Sequence, residues 1–514
     1  MTKKKALIIY ILIFQFFFCS LLAVALNPTI ASSSTYNYYD LKSSAVDFSN
    51  ATVVSDGFNS TYWNDDYSLN PAIAVDSSDR VHAVWQDYTD GVWGTDTEIM
   101  YAMYNTATGW SNITIISDGY NGTYWNDGIS YKPAIAIDSS NEIHVVWEDY
   151  TDGVWGTDIE IMYAKYNTAT GWSNATVISD GYDGTYWNDW SSYDPAIVVD
   201  SSDEVHVVWE DYTDGVWGTD IEIMYATYNT ATGWSNATVI SDGFKDIYWN
   251  DDNSYNPAIS VDSSNAIHVV WDDYTDGVWG IDTEIMYATY TTATGWSNVT
   301  IISDGLNDIY WNDGNSYDAA IAVDSSDEIH VVWEDNTNGV WGTDYEIMYA
   351  YFTSDLGWSL PRIISDGYNH SYWNDGFSYN PAIAVDSSNS VHVVWYDDTN
   401  GVWGIDYEIM YANFTKINKW SNITILSDGF SGVYWNDGES RDPQIAISTN
   451  QVHVVWEDST DGMWGIDYEI MYGNFAIPVP HVVSGPGGIP FGNFYLLFIA
   501  VSIIGLVAYK KRKI

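Results

Sequence analysis

The sequence predicts an all-β protein, a seven-bladed β-propeller of four-stranded blades, with a transmembrane helix after it. Three observations lead to this fold class. A repeat of about 62 residues occurs seven times, each copy contains four short strand-like segments, and the series begins with a copy of the fourth segment. We therefore expect the N-terminal strand to complete the last blade and close the ring.

Seven histidines set the period, because each follows the one before it by 62 residues, or by 61 in the last interval. In the second copy, the strand-like segments are residues 133–138, 142–147, 160–166 and 172–178, which are rich in β-branched and aromatic residues. A linear β-solenoid is the alternative, but its repeats are usually shorter. The histidines are His82, His144, His206, His268, His330, His392 and His453.

The order of the segments predicts how the ring closes. Residues 48–54 match the fourth strand of later copies, and residues 469–475 match the third. Pairing these two segments would hide the sheet edges that an open array exposes to aggregation. The propeller domain is therefore predicted to span residues 48–475.

The charge of the chain is strongly one-sided, with 70 acidic residues against 16 basic ones. Seven of the basic residues lie at the two ends, at positions 3–5 and 510–513. An acidic surface of this kind repels phosphate backbones, so nucleic acid is excluded as a partner.

Residues 1–25 have the pattern of a signal peptide, with three lysines, an apolar run and the small residues Ala23 and Ala25. An uncleaved signal anchor is the alternative, because the apolar run is long. Residues 26–47 form a spacer before the propeller. The single cysteine, Cys19, lies in the apolar run, so we expect no disulfide in the exported domain.

The C-terminal part has the pattern of a membrane anchor. Residues 476–490 are a linker rich in Pro and Gly, residues 491–509 carry no charge, and residues 510–514 form a basic tail. An uncharged segment of this length just spans a bilayer, and basic clusters stay on the cytoplasmic side. We expect a single-pass protein of the cell membrane with a large extracellular domain.

The repeated sequences PAIAVDSS, HVVWED, EIMYA and GWS give the chain a family resemblance. Over residues 48–475 it resembles the BNR, or Asp-box, sialidase-like β-propellers. The resemblance implies an Asp-box hairpin between the third and fourth strands. The matching residues 167–172 keep Gly171 and Trp172 and have no Asp.

Sialidases of this family use three arginines to hold the substrate carboxylate. The propeller domain contains Arg80, Arg362 and Arg441, which we expect in a turn, on an outer strand and on the loop side. The resemblance therefore does not carry sialidase activity to this chain.

In a propeller the loops after strands two and four share one face, and here these loops are long and rich in Trp, Asp and Asn. Aromatic rings beside carboxylates and amides suit sugar recognition. The alternative is that the rings wedge neighbouring blades together. The short turns opposite, such as residues 138–141, hold little beyond turn-forming residues, so we expect them to take no part in ligand binding. The candidate ligand-binding residues are Trp63, Trp93, Trp125, Trp155, Trp187, Trp217, Trp249, Trp279, Trp311, Trp341, Trp373, Trp403, Trp435 and Trp464.

Acidic residues around the loop after strand two form a candidate calcium site in each blade. Calcium prefers six to eight oxygen ligands, and a Gly-containing loop with several carboxylates supplies such oxygens. The alternative is that these carboxylates accept backbone N–H bonds and shape the turn. In the second and third blades the candidates are Asp149, Asp152, Asp158, Glu160, Asp211, Asp214, Asp220 and Glu222.

The histidines are expected to be structural, because the second strand does not line the channel and the seven rings cannot converge. His144 is expected to bond a turn aspartate such as Asp138, and Trp147 and Trp172 are expected in the core.

Six Asn-x-Ser/Thr sequons recur at the start of the outermost strand, where glycans would leave the loop face open. They are Asn50, Asn112, Asn174, Asn236, Asn298 and Asn422.

The repeats differ so little that they predict seven equivalent sites, which suit multivalent binding better than a single active site. The sequence therefore indicates a membrane-anchored binding module whose ligand is a glycan or another surface protein. A sialidase-like glycoside hydrolase or lyase is the alternative, and an architectural envelope protein is a further one.

Overall fold

The computed structural model describes residues 51–55, 66–88, 96–117, 128–150, 158–179, 190–212, 220–241, 252–274, 282–303, 314–336, 344–365, 376–398, 406–417, 419–427, 438–459 and 467–478. Within these residues the chain forms 34 β-strands in seven antiparallel sheets. The predicted all-β seven-bladed propeller is confirmed.

Each blade is built outward from a central channel. The innermost strands are β2 (Ser68–Val75), β7 (Ser130–Ile137), β12 (Ser192–Val199), β17 (Ser254–Val261), β22 (Ser316–Val323), β27 (Ser378–Val385) and β32 (Ser440–Ile447). The second strands are β3 (Val81–Asp87), β8 (Ile143–Asp149), β13 (Val205–Asp211), β18 (Ile267–Asp273), β23 (Ile329–Asp335), β28 (Val391–Asp397) and β33 (Gln451–Asp458). The third strands are β4 (Glu98–Asn105), β9 (Glu160–Asn167), β14 (Glu222–Asn229), β19 (Glu284–Thr291), β24 (Glu346–Thr353), β29 (Glu408–Thr415) and β34 (Glu469–Ala476).

The outermost strand of six blades is broken into two pairs of residues that both pair with the third strand. In the second blade, Ser173 lies at the break between the two pieces. The Ser173 hydroxyl accepts the Lys165 N–H of the third strand at 3.0 Å. The pieces are β5 (Gly109–Trp110) and β6 (Thr114–Ile115), β10 (Gly171–Trp172) and β11 (Thr176–Val177), β15 (Gly233–Trp234) and β16 (Thr238–Val239), β20 (Gly295–Trp296) and β21 (Thr300–Ile301), β25 (Gly357–Trp358) and β26 (Arg362–Ile363), and β30 (Lys419–Trp420) and β31 (Thr424–Ile425).

The seventh blade takes its outermost strand from the start of the chain. Strand β1 (Thr52–Val53) pairs antiparallel with β34, with Thr52 opposite Tyr472 and Val53 opposite Met471. The Val54 N–H donates to the Ile470 carbonyl at 2.7 Å. The predicted closure of the ring is therefore confirmed.

The core lies between blades, because the second and third strands carry bulky apolar side chains on both faces. One cluster combines Val146 and Tyr163 of the second blade with Val207 and Trp209 of the third. The second-strand tryptophans, Trp147 among them, are fully buried, as predicted. Burying apolar area between identical faces is what lets one repeat stack on the next.

The described part of the chain contains no helix long and apolar enough to cross a membrane. The predicted signal peptide, the spacer, most of the linker, the segment 491–509 and the basic tail lie outside the described residues.

Candidate functional site

The innermost strand of every blade bulges at its third residue, next to the channel. In the third blade, the register with the second strand shifts between Tyr193 and Ala196. The bulge residue has a left-handed backbone, a conformation that Asn and Asp adopt more easily than most residues. The seven bulge residues and their φ angles are Asn70 (49°), Lys132 (45°), Asp194 (48°), Asn256 (49°), Asp318 (50°), Asn380 (44°) and Asp442 (47°).

Each bulge residue faces a side chain from the penultimate position of a second strand. The Asp194 N–H donates to Glu148 of the preceding blade at 2.8 Å, and the Asn256 N–H donates to Glu210 at 2.7 Å. The same contact links six neighbouring blade pairs among the described residues. The second-strand residues are Gln86, Glu148, Glu210, Asp272, Glu334, Tyr396 and Glu457. We call these seven residues and the seven bulge residues the channel ring.

The bulge residues line a channel of about 520 Å³, together with residues that follow them on the inner strands, such as Pro133, Ala134 and Ile135. Because each inner strand begins with the ring, the ring lies at the end where the long loops join the blades. The opposite end of the strands carries the short turns. The ring therefore forms a polar mouth on the loop side of an otherwise largely apolar channel.

The ring is not equivalent from blade to blade. In the first blade, the Asn70 amide donates to Gln86 at 2.8 Å, whereas in the second blade Lys132 lies 3.7 Å from Glu148. The third, fifth and seventh blades each bring two acids together, namely Asp194 with Glu210, Asp318 with Glu334, and Asp442 with Glu457. The expectation of equivalent blades is wrong at these positions.

The asymmetry was visible in the sequence but was missed. The residue before Pro at the start of the first strand varies between copies, and so does the residue after Trp in the second strand, while their neighbours hardly change. The sequence alone does not show that these two variable positions lie together at one channel.

Burial dominates the electrostatics of the ring. Loss of hydration raises the pKa of Glu148 to about 7, of Glu457 to about 8 and of Glu210 to about 9. In each acid pair the Glu carboxyl is hydrogen bonded to the Asp carboxylate, which further favours the protonated Glu. Lys132, ion-paired with Asp194, has a pKa above its usual range because of the surrounding carboxylates. Among the described residues, the channel ring thus contains eight carboxyl groups and one lysine, and burial favours the protonated form of Glu210, Glu334 and Glu457.

All fourteen tryptophans that the sequence proposes as ligand-binding residues lie outside the described residues. The segments that carry them join the described chain next to the channel ring. For example, residues 180–189 precede β12, whose third residue is Asp194, and residues 151–157 follow β8.

The predicted calcium residues are partly described. Asp149 is buried at the end of β8, where it accepts hydrogen bonds from Ser130 Oγ and Trp147 Nε1, both at 3.0 Å. Glu160 accepts the Ser179 hydroxyl, and Asp211 and Glu222 repeat both arrangements in the third blade. Asp158 and Asp220 precede the third strands, while Asp152 and Asp214 lie outside the described residues. Calcium binding by these residues stays a prediction.

The histidines lie on the side of the blades away from the loops, near the short turns. His144 Nδ1 is 2.7 Å from the Tyr163 hydroxyl, and its Nε2 is 3.7 Å from Asp138 Oδ2. Burial lowers the pKa of His82, its counterpart in the first blade, to about 4. The structure thus places His144 beside Asp138, but at 3.7 Å the two do not form the expected hydrogen bond.

The short turns also join neighbouring blades by hydrogen bonds, which the sequence analysis did not foresee. Ser139 donates its N–H and its hydroxyl to Asp203 of the next blade, at 2.9 and 3.0 Å. Thr449 makes the same two contacts with Asp79 and so joins the seventh blade to the first. These turns clasp neighbouring blades.

The sequon asparagines described by the structure are exposed at the outer rim, between the two pieces of the broken strand. They are Asn112, Asn174, Asn236, Asn298 and Asn422, while Asn50 lies outside the described residues.

The three arginines of the domain lie on different elements. Arg80 pairs with Asp76 in a short turn, Arg362 lies on the outer strand β26, and Arg441 lies next to the ring on β32. They form no carboxylate clamp.

No protein-family model matches the chain, and no curated protein matches it in sequence. Solved structures share its propeller fold. An ulvan lyase bound to -[GlcA(1-4)Rha3S]- is 11% identical, with a TM-score of 0.50 over 79% of this chain and 94% of the lyase. The polysaccharide lyase Uly1 is 11% identical, with a TM-score of 0.49 over 82% and 94%. The intramolecular trans-sialidase from Ruminococcus gnavus is 10% identical, with a TM-score of 0.41 over 83% and 97%. At these identities the likeness shows the fold alone.

Proposed function

We propose that this chain is a cell-surface carbohydrate-binding propeller, held by its C-terminal segment, whose ligand enters the acidic mouth of the central channel. The observation that carries the proposal is the unequal channel ring, which concentrates carboxyl and amide groups at one opening of a channel of about 520 Å³. Sugars are recognised by such groups, because each hydroxyl can both donate and accept a hydrogen bond.

The charge of the ring selects the class of sugar. Eight carboxyl groups surround the mouth, and Lys132 is paired with Glu148 and Asp194. An acidic mouth repels uronate and sulfate groups, so the ligand of the ulvan lyase does not suit it. A neutral sugar, or one bearing an amine, fits this electrostatic field.

The pairing of the acids supports binding as the first candidate. A retaining glycosidase holds its two carboxyl groups about 5 Å apart, and an inverting one holds them further apart, to admit the sugar and a water. The acid pairs of this ring, such as Asp318 with Glu334, are hydrogen bonded to each other. A polysaccharide-cleaving enzyme is the second candidate, supported by the raised pKa values of the ring.

The long loops would add to the central site. The segments that carry them join the described strands next to the channel ring in every blade, and tryptophan side chains offer apolar faces on which sugar rings stack. A ligand with several sugar units could contact the ring and more than one loop, which raises the overall affinity of weak contacts.

A glycan array probed with the purified full-length chain tests this proposal. We expect binding to neutral or amine-bearing glycans and none to sulfated or uronate-rich ones. Asp318→Asn combined with Glu334→Gln should weaken binding about tenfold or more, since a hydrogen bond to a charged group contributes about 1.5–3 kcal/mol. Trp155→Ala combined with Trp187→Ala should also weaken it.

Asp203→Asn on the turn side is the matched control, because Asn265 holds Ser201 there in the same way. Wild-type protein that binds no glycan would contradict the function. Binding that prefers polyanions, or that ignores the channel variants, would contradict the site. Hydrolysis of a bound glycan would favour the second candidate.

A further inference from the structure

A cluster of His206, Asp200 and Glu204 lies at the turn end of the third blade, away from the channel mouth. The His206 ring is 4% exposed, and its Nδ1 is 2.8 Å from the Tyr225 hydroxyl. Its Nε2 is 3.7 Å from Asp200 Oδ2, beyond hydrogen-bonding distance, and has no other hydrogen-bond partner among the described residues. A buried ring nitrogen in this position requires an explanation.

The two carboxylates complete a set of three ligands. One ligand atom from each of Asp200, Glu204 and His206 can be chosen so that all three lie within 4.8 Å of one another. Asp200 uses Oδ1 to accept the N–H groups of Ser202 and Glu204, at 2.8 and 2.9 Å, which leaves Oδ2 toward the ring.

The corresponding clusters in the second and fifth blades contain a lysine. The same three residue types cluster in the second blade as Asp138, Glu142 and His144, and in the fifth as Asp324, Glu328 and His330. Both of those clusters hold a lysine. Lys165 lies 3.0 Å from Glu142, and Lys416 lies 2.8 Å from Glu328.

The third blade has no such lysine. Thr227 stands opposite His206 in the sheet, where Lys165 stands opposite His144. No ion pair joins Asp200 or Glu204 to a lysine or arginine in the described part of the chain. Two carboxylates and a neutral imidazole, with no cation beside them, are the ligand set that zinc and similar ions take.

We propose that Asp200, Glu204 and His206 bind a divalent metal ion of the zinc type. Zinc lies about 2.1 Å from nitrogen and oxygen ligands, so two tetrahedral ligands are separated by about 3.4 Å. The observed 3.7 Å between His206 Nε2 and Asp200 Oδ2 needs only a small contraction.

Three protein ligands leave a fourth position for water or another group. The site lies at the turn end of the blade, whereas the proposed sugar site lies at the loop end. The two proposals are therefore independent, and either can fail alone.

Zinc titration of the full-length chain, freed of metal with EDTA, tests the site in competition with a chromogenic chelator. Thr227→Lys keeps all three ligands and supplies the lysine of the second blade, so it should remove one equivalent of bound zinc. Glu204→Ala, which copies Ala266 of the fourth blade, should weaken that equivalent about tenfold or more.

Lys165→Thr is the reverse variant and should add one zinc equivalent by freeing Glu142 in the second blade. Zinc bound elsewhere in the chain is the same in each variant and in wild type, so it does not affect the difference in bound equivalents. The proposal is overturned if Thr227→Lys and Lys165→Thr both leave the amount and affinity of bound zinc unchanged. Should Glu204→Ala fail to fold, the Thr227→Lys variant still decides the question.

Discussion

The Ser55 hydroxyl donates a hydrogen bond to the Glu469 carboxylate, although 414 positions separate the two residues in the chain. In return, Ser55 Oγ accepts the Ile470 N–H at 2.8 Å. The first blade makes the same pair of bonds between Ser117 and the residues Glu98 and Ile99, only 19 and 18 positions away. The closing blade therefore uses the same geometry as a blade formed from one continuous segment.

Removal of the closing strand should open the ring. Deletion of residues 48–55 would expose the edge of β34 and leave Glu469 buried without Ser55, so we expect a lower melting temperature and aggregation. Differential scanning fluorimetry and light scattering measure the two effects. Ser55→Ala should cost about 1.5–3 kcal/mol, as should its counterpart Ser117→Ala. A deletion variant as soluble and as stable as wild type would contradict the closure.

The channel ring should lower the stability of the folded protein as the pH rises into the alkaline range. The folded protein keeps a proton on Glu210 up to about pH 9, whereas an unfolded Glu loses it near its ordinary pKa of 4.5. The folded state thus binds more protons between these values, and its stability falls as the pH rises through this range. We expect the urea midpoint of wild type to fall from pH 7 to pH 9.

Glu210→Gln should reduce this fall, because an amide has no proton to lose and still accepts the Asn256 N–H. Gln86 already accepts the Lys132 N–H in this way, at 3.0 Å. Asp355→Asn, at an exposed turn, serves as the control and should leave the pH profile unchanged. Identical profiles for Glu210→Gln and wild type would show that Glu210 ionises normally in the fold.

The clasp between Ser139 and Asp203 should contribute to stability. Asp203→Ala removes both hydrogen bonds and places alanine at a φ of 62°, so we expect a loss of about 2 kcal/mol in urea unfolding. Ser139→Ala removes one bond and should cost about 1 kcal/mol. Asp203→Asn should be nearly neutral, and so should Ser140→Ala, whose side chain is exposed. Equal stability of all four variants would show that solvent replaces the clasp.

Calcium binding at the loops after the second strands remains a prediction of the sequence. Isothermal titration of the full-length chain should show several similar sites, weakened by Asp158→Ala and unaffected by Glu204→Ala at the opposite end. Asp149 and Glu160 already accept hydrogen bonds, so we expect Asp152 and Asp158 to supply the stronger ligands. No heat at millimolar calcium, with an unchanged melting temperature, would contradict the prediction.

The sequence alone determined the number of blades, the strand order and the closure of the ring. These features can be predicted because each copy contains four strand-forming segments and because the series of repeats begins with a copy of the fourth strand. The sequence also predicted that His144 lies near Asp138, because the strand of the histidine begins directly after the turn of the aspartate.

Contacts between strands and blades, which the sequence does not show, bring the differing residues of the copies together. Asp194 and Glu148 come from different blades, and they meet because every inner strand bulges toward one axis. Likewise, the difference between the metal-ligand cluster at His206 and the one at His144 depends on whether Thr227 or Lys165 stands across the sheet. A repeat pattern shows what the copies share, whereas contacts between strands decide which of the differing residues act together.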